Sequence, residues 1–206
     1  MNPTCVRCGG RAHRVCGVCE FIAYCGERCA SLDWPLHLEE EPHASAPHAL
    51  DLVWGDNLWL GGITALNELD AHNIDAVLTV IQRNDRNDPA WLTQRVGTKR
   101  AWVWLSHHDD PSEDMSMDFE RATDFIELHL SKGHNVLVHC HAGMSRSATM
   151  VAAYLLRFHA AKFPTPQSAI EWLQQKRAIV DPNPGFRRQL EGWSRRRWTT
   201  SSGGVD

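Results

Sequence analysis

The sequence has no basic excess: 21 Lys and Arg stand against 25 Asp and Glu, a formal net charge of -4 with a pI near 6.3. A nucleic-acid-binding domain carries clustered positive charge, so nucleic acid is not an expected partner. Long apolar runs are also missing, and none approaches the roughly 20 residues that cross a bilayer, so no membrane span is expected. The start, Met1-Asn2-Pro3-Thr4-Cys5, lacks the basic and apolar regions of a secretory leader. A cytoplasmic or nuclear protein is the expectation, and such reducing surroundings make stable disulfides rare. No repeat of solenoid length is present. What remains, 43% hydrophobic and 22% charged residues, is the composition of an ordinary globular core.

Cysteine is present but unevenly placed. Six of the seven lie between Cys5 and Cys29, and Cys140 stands alone far downstream. The stretch 39–47, rich in Glu, Pro, Ala and His, has no apolar periodicity and reads as a linker. These shifts divide the chain into a small cysteine-rich module at 1–48, a larger domain at 49–197 and a tail at 198–206 expected to be disordered.

In the larger domain, short apolar runs at 58–60, 76–81, 101–105 and 136–139 read as strands. They alternate with helical spacing at 64–72, 118–132, 147–158, 167–177 and 185–196. In the second of these, Phe119, Ala122, Phe125, Ile126 and Leu130 fall on one face, and Gly133 lies where a helix ends. The alternation predicts an α/β fold, a mainly parallel central sheet flanked by helices.

The run His139-Cys140-His141-Ala142-Gly143-Met144-Ser145-Arg146-Ser147 sits between an apolar strand and a helix. Such a turn aims successive backbone N–H groups and a helix N-terminus at one point, which makes an anion cradle. The same groups favour a thiolate at Cys140 over the thiol. Arg146, six residues on, can return its guanidinium over that site, where a planar fork of donors suits two phosphate oxygens. Ser147 can donate to the sulfur. The alternative, an inert buried cysteine, does not explain the rest of the loop.

Cys140, five residues, Arg146 and Ser147 resemble the signature of the protein tyrosine phosphatase superfamily, and the whole loop most resembles its dual-specificity branch. The likeness runs from about Leu58 to Leu190, including Leu58-Trp59-Leu60-Gly61 and Asn183-Pro184-Gly185-Phe186-Arg187-Arg188-Gln189-Leu190. It implies the dual-specificity phosphatase fold and a hydrolase acting on phosphotyrosine and phosphoserine or phosphothreonine through a phosphocysteine intermediate, with no cofactor required for catalysis. It implies phosphate binding by 141–146, that is His141, Ala142, Gly143, Met144, Ser145 and Arg146, with His139 orienting the loop. An upstream aspartate is implied as general acid and then base. Asp109 and Asp110 both qualify by distance, and Asp109 is chosen because it lies ten steps before Phe119. The variable loop positions carry no Lys or Arg, which favours a phosphorylated protein over a phosphoinositide. His107, His108, His129 and His159 show no partner spacing and are expected as surface or structural groups.

In the first module the ligands read Cys5-x2-Cys8, seven residues, Cys16-x2-Cys19, five residues, Cys25-x3-Cys29, seven residues, His37. Closely paired cysteines can grip tetrahedral zinc, and closed sites take four ligands each. A disulfide framework has no secretory context. The spacing, with Tyr24-Cys25 and Asp33-Trp34-Pro35-Leu36-His37, resembles the MYND zinc finger. That resemblance implies two structural Zn2+ ions, Cys5, Cys8, Cys25 and Cys29 on one and Cys16, Cys19 and His37 on the other, and a protein partner bound through the finger. The position where the last cysteine is expected holds Glu41; His43 is chosen as the eighth ligand, with Glu41 and His48 as alternatives.

Overall fold

Residues 14–15, 23–24, 49–83 and 89–196 are described in the computed structural model of the chain. The expected zinc ligands Cys5, Cys8, Cys16, Cys19, Cys25, Cys29, His37 and His43, the linker at 39–47 and the tail at 198–206 lie outside the described residues. Two compact units are present, Met1–His48 and Ala49–Asp206. In the first, β1 (Arg14–Val15) pairs antiparallel with β2 (Ala23–Tyr24), Arg14 facing Tyr24.

The described residues of the second unit form a five-stranded sheet from β3 (Leu50–Trp54), β4 (Leu58–Gly61), β5 (Ile74–Val80), β6 (Ala101–Leu105) and β7 (Asn135–His139). Its order is β3-β4-β7-β5-β6. The last four strands run parallel, and β3 pairs antiparallel with β4 at one edge. The sheet is therefore mainly parallel, as expected. The centre is apolar on both faces because helices cover both. Alternation along the strands sends Leu58, Leu60, Leu78, Val80, Val136 and Val138 into one core and Val77, Trp104 and Leu137 into the other.

Five helices are described: α1 (Pro89–Val96), α2 (Phe119–Leu130), α3 (Arg146–Phe158), α4 (Pro166–Lys176) and α5 (Pro184–Ser194). Residues of α2, α3, α4 and α5 share the core with Leu58 and Val138, while Leu92 and Val96 of α1 join Val77 on the other face. Every residue of α3 from Arg146 to Leu156 is buried, so it forms the central helix of its layer. Phe119 on α2 meets Trp193 on α5 edge-on at 5.4 Å. Burying a Phe side chain contributes about 1.5–3 kcal/mol, so this contact fixes where α5 lies.

One expected element is corrected. The stretch 64–72 is not an α-helix: Ile63–Asn67 forms a 3-10 turn followed by further turns. Ala65, Leu66 and Leu69 are buried there. The chain must re-enter the sheet at Ile74, and Asn73 takes a left-handed φ of 49° to do so, which leaves no room for another helical turn. Among the described residues no helix is long and apolar enough to cross a membrane.

Candidate active site

β7 is the middle strand and ends at His139, so Cys140 begins a loop at the carboxyl end of the parallel strands, the edge where open α/β sheets place their ligands. What shapes this loop is where its carbonyls go. The Cys140 oxygen accepts from His139 Nδ1 at 3.2 Å. That of His141 accepts from Ile63 N at 2.9 Å, and that of Met144 from Asp181 N at 3.0 Å. Arg177 donates Nη2 to Ala142 O at 3.0 Å and Nε to Gly143 O at 3.1 Å. The Ser145 oxygen accepts both Thr149 N and Thr149 Oγ1 at 2.8 Å. Six consecutive carbonyls are thus held by donors behind or beyond the loop, and the peptide planes are turned so that N–H groups face the concave side.

Gly143 makes the turn possible. Its φ is +73°, and a Cβ there would lie 2.6 Å from the backbone C and O of Gly61. No side chain fits, and only glycine adopts this conformation without strain. Its N–H donates to Cys140 Sγ at 3.3 Å, and Ser147 Oγ donates to the same sulfur at 3.1 Å. Cys140 is 1% exposed and is the one free cysteine among the described residues.

Ser145 stands at the N-cap of α3, yet its side chain caps nothing. Its hydroxyl donates instead to Asp109 Oδ1 at 2.7 Å. The first-turn N–H groups of α3 are left available to an anion, where the helix dipole also favours negative charge. Arg146 packs against the same place: Nη1 donates to the His107 carbonyl at 3.1 Å, and Nε lies 3.5 Å from Asp109 Oδ2. That buried Nε has no hydrogen-bond partner among the described residues, a donor held ready beside the carboxylate.

The two candidate aspartates separate. Asp109 reaches the loop, accepting from Ser145 Oγ and from Asn183 Nδ2 at 3.0 Å. Asp110 turns away to accept from Ser112 N at 2.7 Å and Ser112 Oγ at 2.6 Å, bonds that hold its carboxyl below the usual range. Beneath the loop His139 is fully buried, and burial pushes its imidazole down to about 4. The ring is therefore neutral; Nδ1 carries the proton given to the Cys140 carbonyl, and Nε2 accepts from Thr79 Oγ1 at 2.8 Å.

Two supports were not found by sequence reasoning. Arg177, 3% exposed, carries two loop carbonyls and pairs through Nη1 with Asp51 Oδ2 at 2.6 Å. Asn183 caps α5 by accepting from Phe186 N, and its N–H donates to Ser145 Oγ at 3.2 Å. Asn183-Pro184 is a legible helix start, but the partners 38 and 74 positions away are not. Of the histidines, His107 is buried between Glu113 and Asp118, His129 faces His134 at 3.0 Å and His159 meets Tyr154 at 3.2 Å. Each has a partner that spacing did not reveal.

The family described as dual specificity phosphatase, catalytic domain, matches residues 58–196, and the MYND finger family matches residues 5–40. The chain is 39% identical over 150 residues to the dual specificity protein phosphatase 26 of Homo sapiens, covering 71% of this chain and 67% of that one. Among solved structures, it is similar to the Yvh1 phosphatase domain from Chaetomium thermophilum, with 28% identity, a TM-score of 0.58 and coverage of 70% of this chain and 95% of that one. Human DUSP28 matches with 26% identity, a TM-score of 0.62 and coverage of 72% and 95%. With the fold, the loop and the family match in agreement, the chain belongs to the dual specificity phosphatases and is a dual-specificity protein phosphatase preceded by a zinc-binding MYND finger.

Proposed function

We propose that Cys140 is the nucleophile of a two-step phosphate-ester hydrolysis. The observation that carries this reading is the set of six outward-held carbonyls around a buried thiol. The N–H groups of 141–146 donate to the phosphate oxygens, and the Arg146 guanidinium supplies two further donors and a positive charge. The thiolate attacks phosphorus, the S–P bond forms and the P–O bond to the leaving group breaks as Asp109 gives that oxygen a proton. Asp109 then removes a proton from water, whose oxygen displaces sulfur and releases inorganic phosphate. Ser147 steadies the departing thiolate from 3.1 Å. No cofactor is needed for either step.

The substrates are proteins carrying phosphotyrosine and phosphoserine or phosphothreonine, in the cytoplasm or nucleus. His141, Ala142, Met144 and Ser145 give the loop no extra cation for a polyphosphorylated lipid. In the finger, cysteine sulfur and imidazole are a donor set that suits zinc. Cys5, Cys8, Cys25 and Cys29 hold one structural ion and Cys16, Cys19, His37 and His43 the other, and the finger recruits a protein partner. The family match ends at residue 40, before His43, so the eighth ligand rests on donor chemistry.

The test is turnover of phosphopeptides and phosphoinositides by reduced protein. Cys140→Ser abolishes turnover while leaving binding. Asp109→Asn slows turnover by about 10²–10⁴-fold, the usual worth of a positioned acid, and Asp110→Asn changes it little. The reverse ranking assigns the acid to Asp110, and faster turnover of the lipids moves the substrate class.

A further inference from the structure

We propose that His107 is a positioning residue for this reaction, holding the loop 107–118 so that Asp109 lies over the phosphate site; the inference rests on Asp109 as the general acid. His107 is buried, with Nδ1 at 2.9 Å from Glu113 Oε1 and Nε2 at 2.9 Å from Asp118 Oδ2. Each ring nitrogen faces one carboxylate oxygen, so the ring acts as a brace between the two side chains.

The brace joins three points of one loop. Its own residue opens the loop, Glu113 lies midway and Asp118 closes it at the N-cap of α2. The middle is held separately by α5: Gln189 Nε2 donates to Glu113 O at 2.7 Å, and Met115 N donates to Gln189 Oε1 at 2.9 Å. The opening of the loop, from which Asp109 projects two residues later, is tied through His107. The His107 carbonyl also accepts from Arg146 Nη1 at 3.1 Å. One residue therefore sets the acid loop against the phosphate clamp, and its ring nitrogens are what keep both carboxylates in place.

In the first step, which kcat/KM reports, a misplaced acid harms only substrates that need it. Phenyl phosphate expels a basic oxygen that must be protonated, whereas dinitrophenyl phosphate expels a stable anion unaided. Replacing the ring by His107→Phe keeps a planar aromatic ring and removes both nitrogens. In full-length protein we expect kcat/KM for phenyl phosphate to fall about tenfold or more, a part of the acid's ~10²–10⁴-fold worth, and kcat/KM for dinitrophenyl phosphate to fall less than about threefold. Asp109→Asn is the reference and shows the same split. Equal losses on both esters, or no loss on either, overturn the role of His107 while Asp109→Asn retains its split. No split in Asp109→Asn removes the underlying reading of the acid instead. Should His107→Phe not fold, Glu113→Gln combined with Asp118→Asn weakens the brace from its other side; the same split is expected there, and its absence overturns the proposal.

Discussion

Arg177 makes the sharpest test of how the loop is held. Arg177→Met keeps a similar apolar stem but deletes the donors to Gly143 O at 3.1 Å and Ala142 O at 3.0 Å and the partner of Asp51 at 2.6 Å. Removing one member of a buried ion pair costs about 3–5 kcal/mol, mainly by stranding the other charge. The Asp51 side chain is 17% exposed, so water recovers part of that, and about 3 kcal/mol is the expected share. Two carbonyls losing their donors add about 1 kcal/mol together after partial hydration. A total near 4 kcal/mol is a large part of the ~5–15 kcal/mol that holds a domain. It corresponds to a melting temperature lower by about 8–16 °C at this size. Freed peptide planes also carry their N–H groups out of line, and losing about 1.4 kcal/mol of phosphate binding raises KM about tenfold. Urea unfolding under reducing conditions measures the first effect and aryl phosphate kinetics the second. Asp51→Asn added to Arg177→Met removes the stranded charge and should recover about half the stability. A double variant no more stable than the single would refute the account of Arg177 as an ion-paired support.

Three further outcomes follow from the geometry. His139 is held down at about 4 by burial against its ordinary 6.5, so the unfolded chain binds more protons between these values. Its contribution is full above pH 6.5 and is lost as the pH falls towards 4, by about 3 kcal/mol in all; urea midpoints across this range should fall in the wild type and flatten in His139→Gln. Gly143→Ala and Gly133→Ala both force a side chain into left-handed φ, at 73° and 76°, but only the first meets backbone, at 2.6 Å. Gly133→Ala should lose about 1–2 kcal/mol of stability with turnover of an aryl phosphate unchanged, whereas Gly143→Ala should lose more, because the clash adds to the strain, and its turnover should collapse. Metal analysis of the purified chain should find two zinc ions, and one would mean that the second ligand set is incomplete.

The loop chemistry was legible because it is local: Cys140, Gly143, Arg146 and Ser147 fall within eight positions, and strand, glycine and helix follow in order. Short apolar strands and helices with apolar faces were legible for the same reason. β3 and α1 were not anticipated. β3, Leu-Asp-Leu-Val-Trp, abuts the linker and gains its partner only through a tight turn at Gly55. α1 is eight residues behind a polar stretch, and among its described side chains only Leu92 and Val96 mark the buried side. Arg177, Asn183 and the His107 brace escaped because what defines them is a partner across the fold; sequence spacing carries no signal of it.

The outward wiring of the loop has a consequence for how activity is gained and lost. Its fasteners come from Ile63, Thr149, Arg177 and Asp181, stretches that span most of the second unit. No local segment can assemble the cradle before the others arrive, and none can leave without releasing a carbonyl. The site is thus the last thing the fold completes and the first thing its loosening destroys. Residual turnover in rising denaturant should trace the folded fraction itself, with no compact yet silent species between.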